Sequence, residues 1–265
     1  IGVRIQPRHS FCSSIYSVAQ CLGVLDPVET SAHHRLWFEQ IDALRDQHPA
    51  WREYPAEAGE VNPIQLLQRL SEIIPGHCNY VTDVGQHQMW AAQCIKFKQQ
   101  DRFLTSGGMG AMGFGLPAAL GSAVSNPEAM TLLVSGDGSF QLNIQELETI
   151  RRNQANLKII LFNNRCHGMV RQFQESYFKG RLCSTVVGYS APDFVAVSRA
   201  YGIAARGLKY SDGIEDSLRW LIQSKGPALL EVPLSIGSKV YPKLAFGRKF
   251  GEMEPEASPT AMEST

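Results

Sequence analysis

Equal numbers of basic and acidic residues, 25 of each in a chain of 265, exclude a partner selected by bulk charge, such as nucleic acid or an anionic membrane surface. With 44% hydrophobic and 19% charged residues the chain has the make-up of a soluble globular protein with a sizeable core, and no apolar run reaches the roughly 18 residues that a membrane span needs. Six cysteines (12, 21, 78, 94, 166, 183) include no Cys-x-x-Cys pair, so reduced thiols of a cytoplasmic protein are expected rather than a disulfide framework or a zinc cage. The opening IGVRIQPRHS lacks the charged-then-apolar order of a signal peptide, and a start at Ile without Met is what a fragment would have.

Taken in chain order, residues 1–30 hold a short apolar stretch and then turn-rich LDPVETSAHH. Residues 31–60 are charged and aromatic, which suits a surface helix followed by a linker, and His33-His34 there are most simply solvated. Asn62 as N-cap and Pro63 at the first helical position start a helix through IQLLQRLSEII. NYVTDV (79–84) reads as a buried strand, QHQMWAAQCIKFK (86–98) as a helix, and DRFLTSG as a weak strand. Glycine-rich SGGMGAMGFG (106–115) leads into the helix LPAALGSAVS, and AMTLLVS (129–135) is the next strand. GDGSFQL then reads as a turn and Ile144–Arg152 as a helix, where Asn143 and Glu146 have capping-box-like spacing. LKIILF (157–162) is another apolar strand, followed by helices near 168–176, 192–201 and 212–224 and strands near IAARG and ALLEVPL. The polar, Pro-containing residues 247–265 are expected to form a flexible tail. Continuous apolar strands separated by helices predict a parallel sheet covered on both faces: an α/β protein, a three-layer α/β/α sandwich with a central parallel sheet.

Ligands of open α/β sheets sit at the carboxyl ends of the strands, and three such ends carry unusual residues. They are Asp83-Val84-Gly85-Gln86-His87, Gly136-Asp137-Gly138-Ser139 and Asn163-Asn164. A carboxylate between two glycines lets the backbone approach a ligand closely, and Asp, Asn and backbone oxygens make a low-charge set that suits Mg²⁺ or Ca²⁺ and suits zinc poorly. Alone, either Gly-Asp-Gly or Asn-Asn is an ordinary turn or strand end; their order around one crossover is what points to a site. Gly108-Met109-Gly110-Ala111-Met112-Gly113 satisfies the dinucleotide pattern, but a weak preceding strand and the lack of an acidic residue at the expected distance argue against nicotinamide binding. Cys166-His167 is a poor nucleophile–base pair, because sequence neighbours rarely face each other so.

Gly-Asp-Gly followed after 24 residues by Asn-Asn resembles the signature of thiamin diphosphate enzymes. The closest likeness within them is to the acetohydroxyacid (acetolactate) synthases, densest at VTDVGQHQMWAAQ (81–93), SGGMGAMGFGLPAALG (106–121), GDGSFQLNIQEL (136–147) and NNRCHGMVRQFQE (163–175). The resemblance implies that Asp137 and Asn164 give side-chain oxygens to Mg²⁺ and Cys166 its backbone carbonyl, with Asn163 no ligand. It implies that Gly136, Gly138, Ser139, Val84, Gly85, Gln86, His87 and Gly168 surround the diphosphate. Gly110 and the backbone N–H of Met112 would bond the aminopyrimidine, with the Met112 side chain wedged between the rings, so that both carry catalysis. Met169, Val170 and Phe173 would line the substrate pocket. A phosphate dianion favours helix N-termini, and an unbranched thioether is an adaptable wedge.

The same resemblance makes residues 1–30 the end of a preceding middle domain, 31–60 a linker, 61–246 the diphosphate-binding domain and 247–265 the tail. It implies a 2-keto acid substrate, a homodimer or tetramer, and FAD, if any, in the missing middle domain. The glutamate that starts the proton relay lies on the pyrimidine-binding N-terminal domain of a second subunit, and no segment here resembles that domain, so this chain alone should not turn over. Phe173 stands where these synthases typically carry Trp, and the ending VYPKLAFGRKFGEMEP also differs, which brings in relatives that add a two-carbon unit to a deoxysugar ketone. The leading expectation is a carboligase. A decarboxylase or flavin-dependent pyruvate oxidase is disfavoured by Gln86-His87 and GMVRQFQ, and a non-catalytic cofactor-binding module is the remaining class.

Overall fold

The computed structural model describes residues 12–24, 34–47, 60–209, 213–245, 247–249 and 252–256. The chain divides into two compact units, Ile1–Pro49 and Ala50–Thr265. The first contains helix α1 (Ile15–Gly23), whose Ser14 caps it by accepting from the Ser17 N–H, and helix α2 (Arg35–Gln47); neither buries a residue.

The second unit is the sandwich. Asn62 accepts the N–H groups of Ile64 and Gln65 and so starts α3 (Pro63–Ile73), as its sequence predicts. Then follow β1 (Cys78–Thr82), α4 (Gln86–Cys94), β2 (Arg102–Thr105), α5 (Gly115–Ser125), β3 (Met130–Gly136), a four-residue turn of helix α6 (Asp137–Phe140), α7 (Glu146–Arg152) and β4 (Leu157–Asn163). The unit closes with α8 (Gly168–Tyr177), α9 (Phe194–Ala200), β5 (Ala204–Gly207), α10 (Ile214–Gln223), β6 (Ala228–Pro233) and the short strands β7 (Lys243–Leu244) and β8 (Met253–Glu254). Six strands form one sheet in the order β2-β1-β3-β4-β6-β5, every pair parallel.

Alternate residues of each buried strand serve opposite layers, as the two-residue period of a strand requires. Ile160 and Phe162 pack with Leu67, Trp90 and Leu218 of α3, α4 and α10. Ile159 and Leu161 pack with Leu116, Ile150 and Phe194 of α5, α7 and α9. From β1 the chain crosses by α4 to β2 on one side, then returns over the other face by α5 to β3 on the opposite side. The crossovers therefore diverge at the β1/β3 boundary, the switch point where open α/β sheets leave a crevice.

Four local expectations are corrected. The helix read as 86–98 ends at Cys94, because the following segment is fixed elsewhere: the Lys96 N–H donates to Ser71 Oγ, and Lys98 Nζ to the carbonyls of Ile74 and Gly76. GDGSFQL is not a turn but the helical turn α6 running into a 3₁₀ turn at Gln141–Asn143, with Asp137 in the first turn, where a helix favours an anion. Asn143 caps no helix, since its side chain donates to the Gly113 carbonyl instead. Within the stretch expected as a tail from 247, Met253–Glu254 form β8, which lies antiparallel to β7 before it; residues 257–265 are outside the described set.

Candidate functional site

The switch point gathers the three strand ends singled out above. Past β1, Asp83 and Thr82 are buried and Gly85 opens α4; past β3, Gly136 leads into the buried Asp137; past β4, Asn163 and Asn164 lead towards α8. Ser139 Oγ donates to the Val84 carbonyl at 2.8 Å and ties the first two ends together. A cavity of about 220 Å³ opens here. Its walls are Val84 to His87, Gly110 and Met112, Gly136 to Ser139, and Asn164, Cys166 and Gly168 to Val170, so the fifteen positions expected around the cofactor all face one space. Phe173 does not line it. It borders an adjoining apolar groove with Tyr177, Lys243 and Leu244, and Met169 and Val170 line both.

Several polar groups in this cavity are left incomplete. Asp137 is 2% exposed, and burial pushes its carboxyl pKa up to about 6 against the pull of the Tyr189 hydroxyl, which donates to Oδ2 at 2.8 Å. His87 is buried with its Nε2 unpartnered, and desolvation pushes its pKa down despite the field of Asp83, so the imidazole is neutral. Helices α4 and α8 start at the cavity with no side-chain cap. Uncapped N–H groups at two helix starts form a receptor for an anion.

The floor is saturated. Asn164 Nδ2 donates to Gln86 Oε1 at 3.1 Å and to Ser238 Oγ at 3.2 Å. Gln86 Nε2 donates to Gln172 Oε1 at 3.1 Å and to the Ser238 carbonyl at 2.7 Å, so both its amide hydrogens are engaged. Gly168 fits because it lacks a Cβ, which would collide with the Gln86 and Asn164 amides. Asn163 is turned to Glu231 at 2.7 Å and does not line the cavity. Burial pushes the Cys166 thiol up to about 11, the opposite of what a nucleophile needs.

Among the described residues no three His, Cys, Asp or Glu side chains come together as a metal cage. Any cation held here would depend on oxygen donors: the Asp137 carboxylate, the Asn164 amide oxygen and a backbone carbonyl. That set, beside uncapped helix starts and an unpartnered imidazole, fits a hard cation with a phosphate-bearing ligand.

Residues 83–232 match the family model of the thiamine pyrophosphate enzymes, C-terminal TPP binding domain. The chain belongs to this family. It is similar to the acetolactate synthase isozyme 2 large subunit of Escherichia coli (strain K12), 42% identical over 218 residues, covering 82% of this chain and 39% of that protein. It is also similar to the acetolactate synthase large subunit of Pyropia yezoensis, 37% identical over 223 residues, covering 84% of this chain and 37% of that protein. A third relative, acetolactate synthase 1, chloroplastic, of Oryza sativa subsp. japonica, is 33% identical over 262 residues, covering 96% of this chain and 40% of that protein. The chain thus spans about two fifths of the length of the curated relatives it matches.

The cavity of this thiamine pyrophosphate (thiamin diphosphate) domain has members to which the sequence reading gives no individual role. Trp90, Phe162 and His167 also line it, and Asp83, Tyr189, Gln172 and Ser238 hold its residues from behind. Ser238 stands 74 residues from Asn164 and 152 from Gln86, so only the folded chain brings them together. Among the described residues no helix is long and apolar enough to cross a membrane.

Proposed function

We propose that the protein containing this chain is an acetolactate synthase-like carboligase, which decarboxylates pyruvate and transfers the two-carbon unit to a second keto compound. The observation that carries the reading is the convergence of three strand ends on one cavity whose anion-binding and cation-binding groups are left incomplete. The three relatives named above are all acetolactate synthases, which favours this reaction over the other thiamine reactions.

In this reading Asp137, Asn164 and the Cys166 carbonyl hold Mg²⁺. The Asn164 amide is oriented for it, because its nitrogen is committed to Gln86 and Ser238. Gly136, Gly138, Ser139, Val84, Gly85, Gly168 and the uncapped starts of α4 and α8 receive the diphosphate, and His87 donates or accepts through its free Nε2. Gln86 contributes its backbone, since its side-chain hydrogens support the floor. Gly110 and Met112 take the aminopyrimidine side, while Met169, Val170 and Phe173 form an apolar approach for the substrates that excludes water. When bound, thiamin diphosphate supplies a thiazolium carbon that adds to the keto group and accepts the electrons released as CO₂ departs.

The glutamate that activates the cofactor comes, in this proposal, from the N-terminal domain of a second subunit, so the assembly is at least a dimer. The protein is cytoplasmic, and residues 1–30 close a middle domain in which any FAD would bind. The test is calorimetric titration of the full-length protein with thiamin diphosphate and Mg²⁺. We expect saturable binding that Asp137→Ala abolishes, a loss of several kcal/mol; undiminished binding by the variant would refute the metal assignment.

A further inference from the structure

The glycine-rich segment that carries Gly110 and Met112 has few side chains with which to hold its own shape. Its first residue, Ser106, holds one half, and side chains from outside hold the other. The Gly110 N–H donates to the Ser106 carbonyl at 3.0 Å, and the Ala111 N–H to Ser106 Oγ at 3.1 Å. Beyond Met112, the Gly113 peptide is gripped on both sides. Its N–H donates to Asp83 Oδ1 at 2.9 Å, and its carbonyl accepts from Asn143 Nδ2 at 2.7 Å. Asp83 is fully buried, and its other oxygen accepts the Gly115 N–H at 2.7 Å.

The fit is close on every side. Gly113 has φ +87, and a Cβ there would lie 2.9 Å from Leu142 Cβ and 3.0 Å from Asn143 Nδ2. A Cβ at Gly115 would lie 2.8 Å from Asp83 Cβ. A buried carboxylate could satisfy its lone pairs in many ways; this one accepts the backbone N–H groups of Val84, of the residue after Met112 and of the first residue of α5. Bonds to a charged acceptor are stronger and more directional than neutral ones.

We infer that Asp83 and Asn143 are positioning residues that clamp the Gly113 peptide and thereby fix Met112 and Gly110 against the bound cofactor. The inference rests on the thiamin diphosphate reading of the cavity. Neither residue lines the cavity; Asn143 reaches the ligand side only through the loop, whereas Asp83 also accepts the N–H of the cavity residue Val84. Binding through the strand-end loops should therefore persist when the clamp is loosened, while the geometry on the pyrimidine side is lost.

The experiment uses the full-length protein with thiamin diphosphate and Mg²⁺, and measures cofactor affinity together with hydrogen–deuterium exchange at thiazolium C2 of the bound cofactor. Asn143→Asp keeps the shape but removes the donor, and Asn143→Ala removes both. For both we expect affinity within about threefold of the parent and C2 exchange slowed by about tenfold or more, because misplacement of about 1 Å costs up to about 100-fold. Asp83→Asn should slow it further; if that variant does not fold, the Asn143 pair decides. Parental exchange rates in both Asn143 variants, with cofactor bound, would overturn the clamp and leave the domain reading intact. So would a fall in affinity matched by a fall in thermal stability, which would mark Asn143 as merely structural. No cofactor binding by the parent would instead overturn the function reading itself.

Discussion

The two ends of the central sheet satisfy their ionisable groups in opposite ways. At the amino end, Lys98 Nζ donates to the carbonyls of Ile74 and Gly76, and Lys158 Nζ to those of Ser224 and Gly226. The two turns follow α3 and α10 and use glycine at φ +69 and +66, so each lysine closes the negative end of a helix that cannot satisfy its own last carbonyls. At the carboxyl end, Asp137 has one hydroxyl partner, His87 Nε2 has none, and two helices begin uncapped. Burial of ionisable groups is common to both ends. What separates the binding edge from the structural edge is that its groups are left unfinished.

That contrast can be broken experimentally, first by filling the space under the cavity. Gly168→Ala drives a Cβ into the Gln86 and Asn164 amides, and titration should show thiamin diphosphate affinity lowered by about 100-fold; parental affinity would mean that the floor yields. Asp137→Asn removes a charge that burial disfavours. Thermal unfolding without cofactor should show a gain of about 1–2 kcal/mol, with Mg²⁺-dependent cofactor binding lost. A loss of stability would show that the carboxylate is as well served as the lysines opposite.

Lys158 sharpens the comparison through pH. Burial pushes its pKa down from 10.5 to about 8, so above about pH 8 the unfolded chain holds a proton that the folded one has released. Stability should therefore rise from about pH 8 to pH 10, by about 1–2 kcal/mol. Urea midpoints should lose that rise in Lys158→Met, and an unchanged slope in the variant would assign it to other groups. Tyr189→Phe should have the smallest effect, about 1 kcal/mol on Mg²⁺-dependent cofactor binding, read by calorimetry.

The contrast also explains what could be read before folding. Leu157–Phe162 is legible as a buried strand because every residue but Lys158 is apolar, and Asn62-Pro63 as a helix start because the cap is local. The strand-end motifs are legible because each places its backbone and side chains at the cavity within four or five consecutive residues. Asp83 was read only as part of a strand end, for its partners Gly113 and Gly115 lie 30 and 32 residues away. Tyr189, 52 residues from Asp137, carries no local signal at all. Asn143 was misread since its spacing from Glu146 imitates a cap, while a tertiary partner claimed its amide. The motifs show what faces the ligand; the residues behind them follow from distant contacts.

Ser238 lies after the last sheet strand and beyond the matched residues 83–232. Yet its carbonyl receives Gln86 and Arg171, its hydroxyl meets Asn164, and neighbouring Val240 exchanges two bonds with Gln172. The cofactor module is therefore longer than its sheet. A chimera or excision that stops at Pro233 would keep all six strands of the parallel sheet and the strand-end motifs while severing the tether beneath them. Swapping such modules between relatives should place the junction beyond Val240.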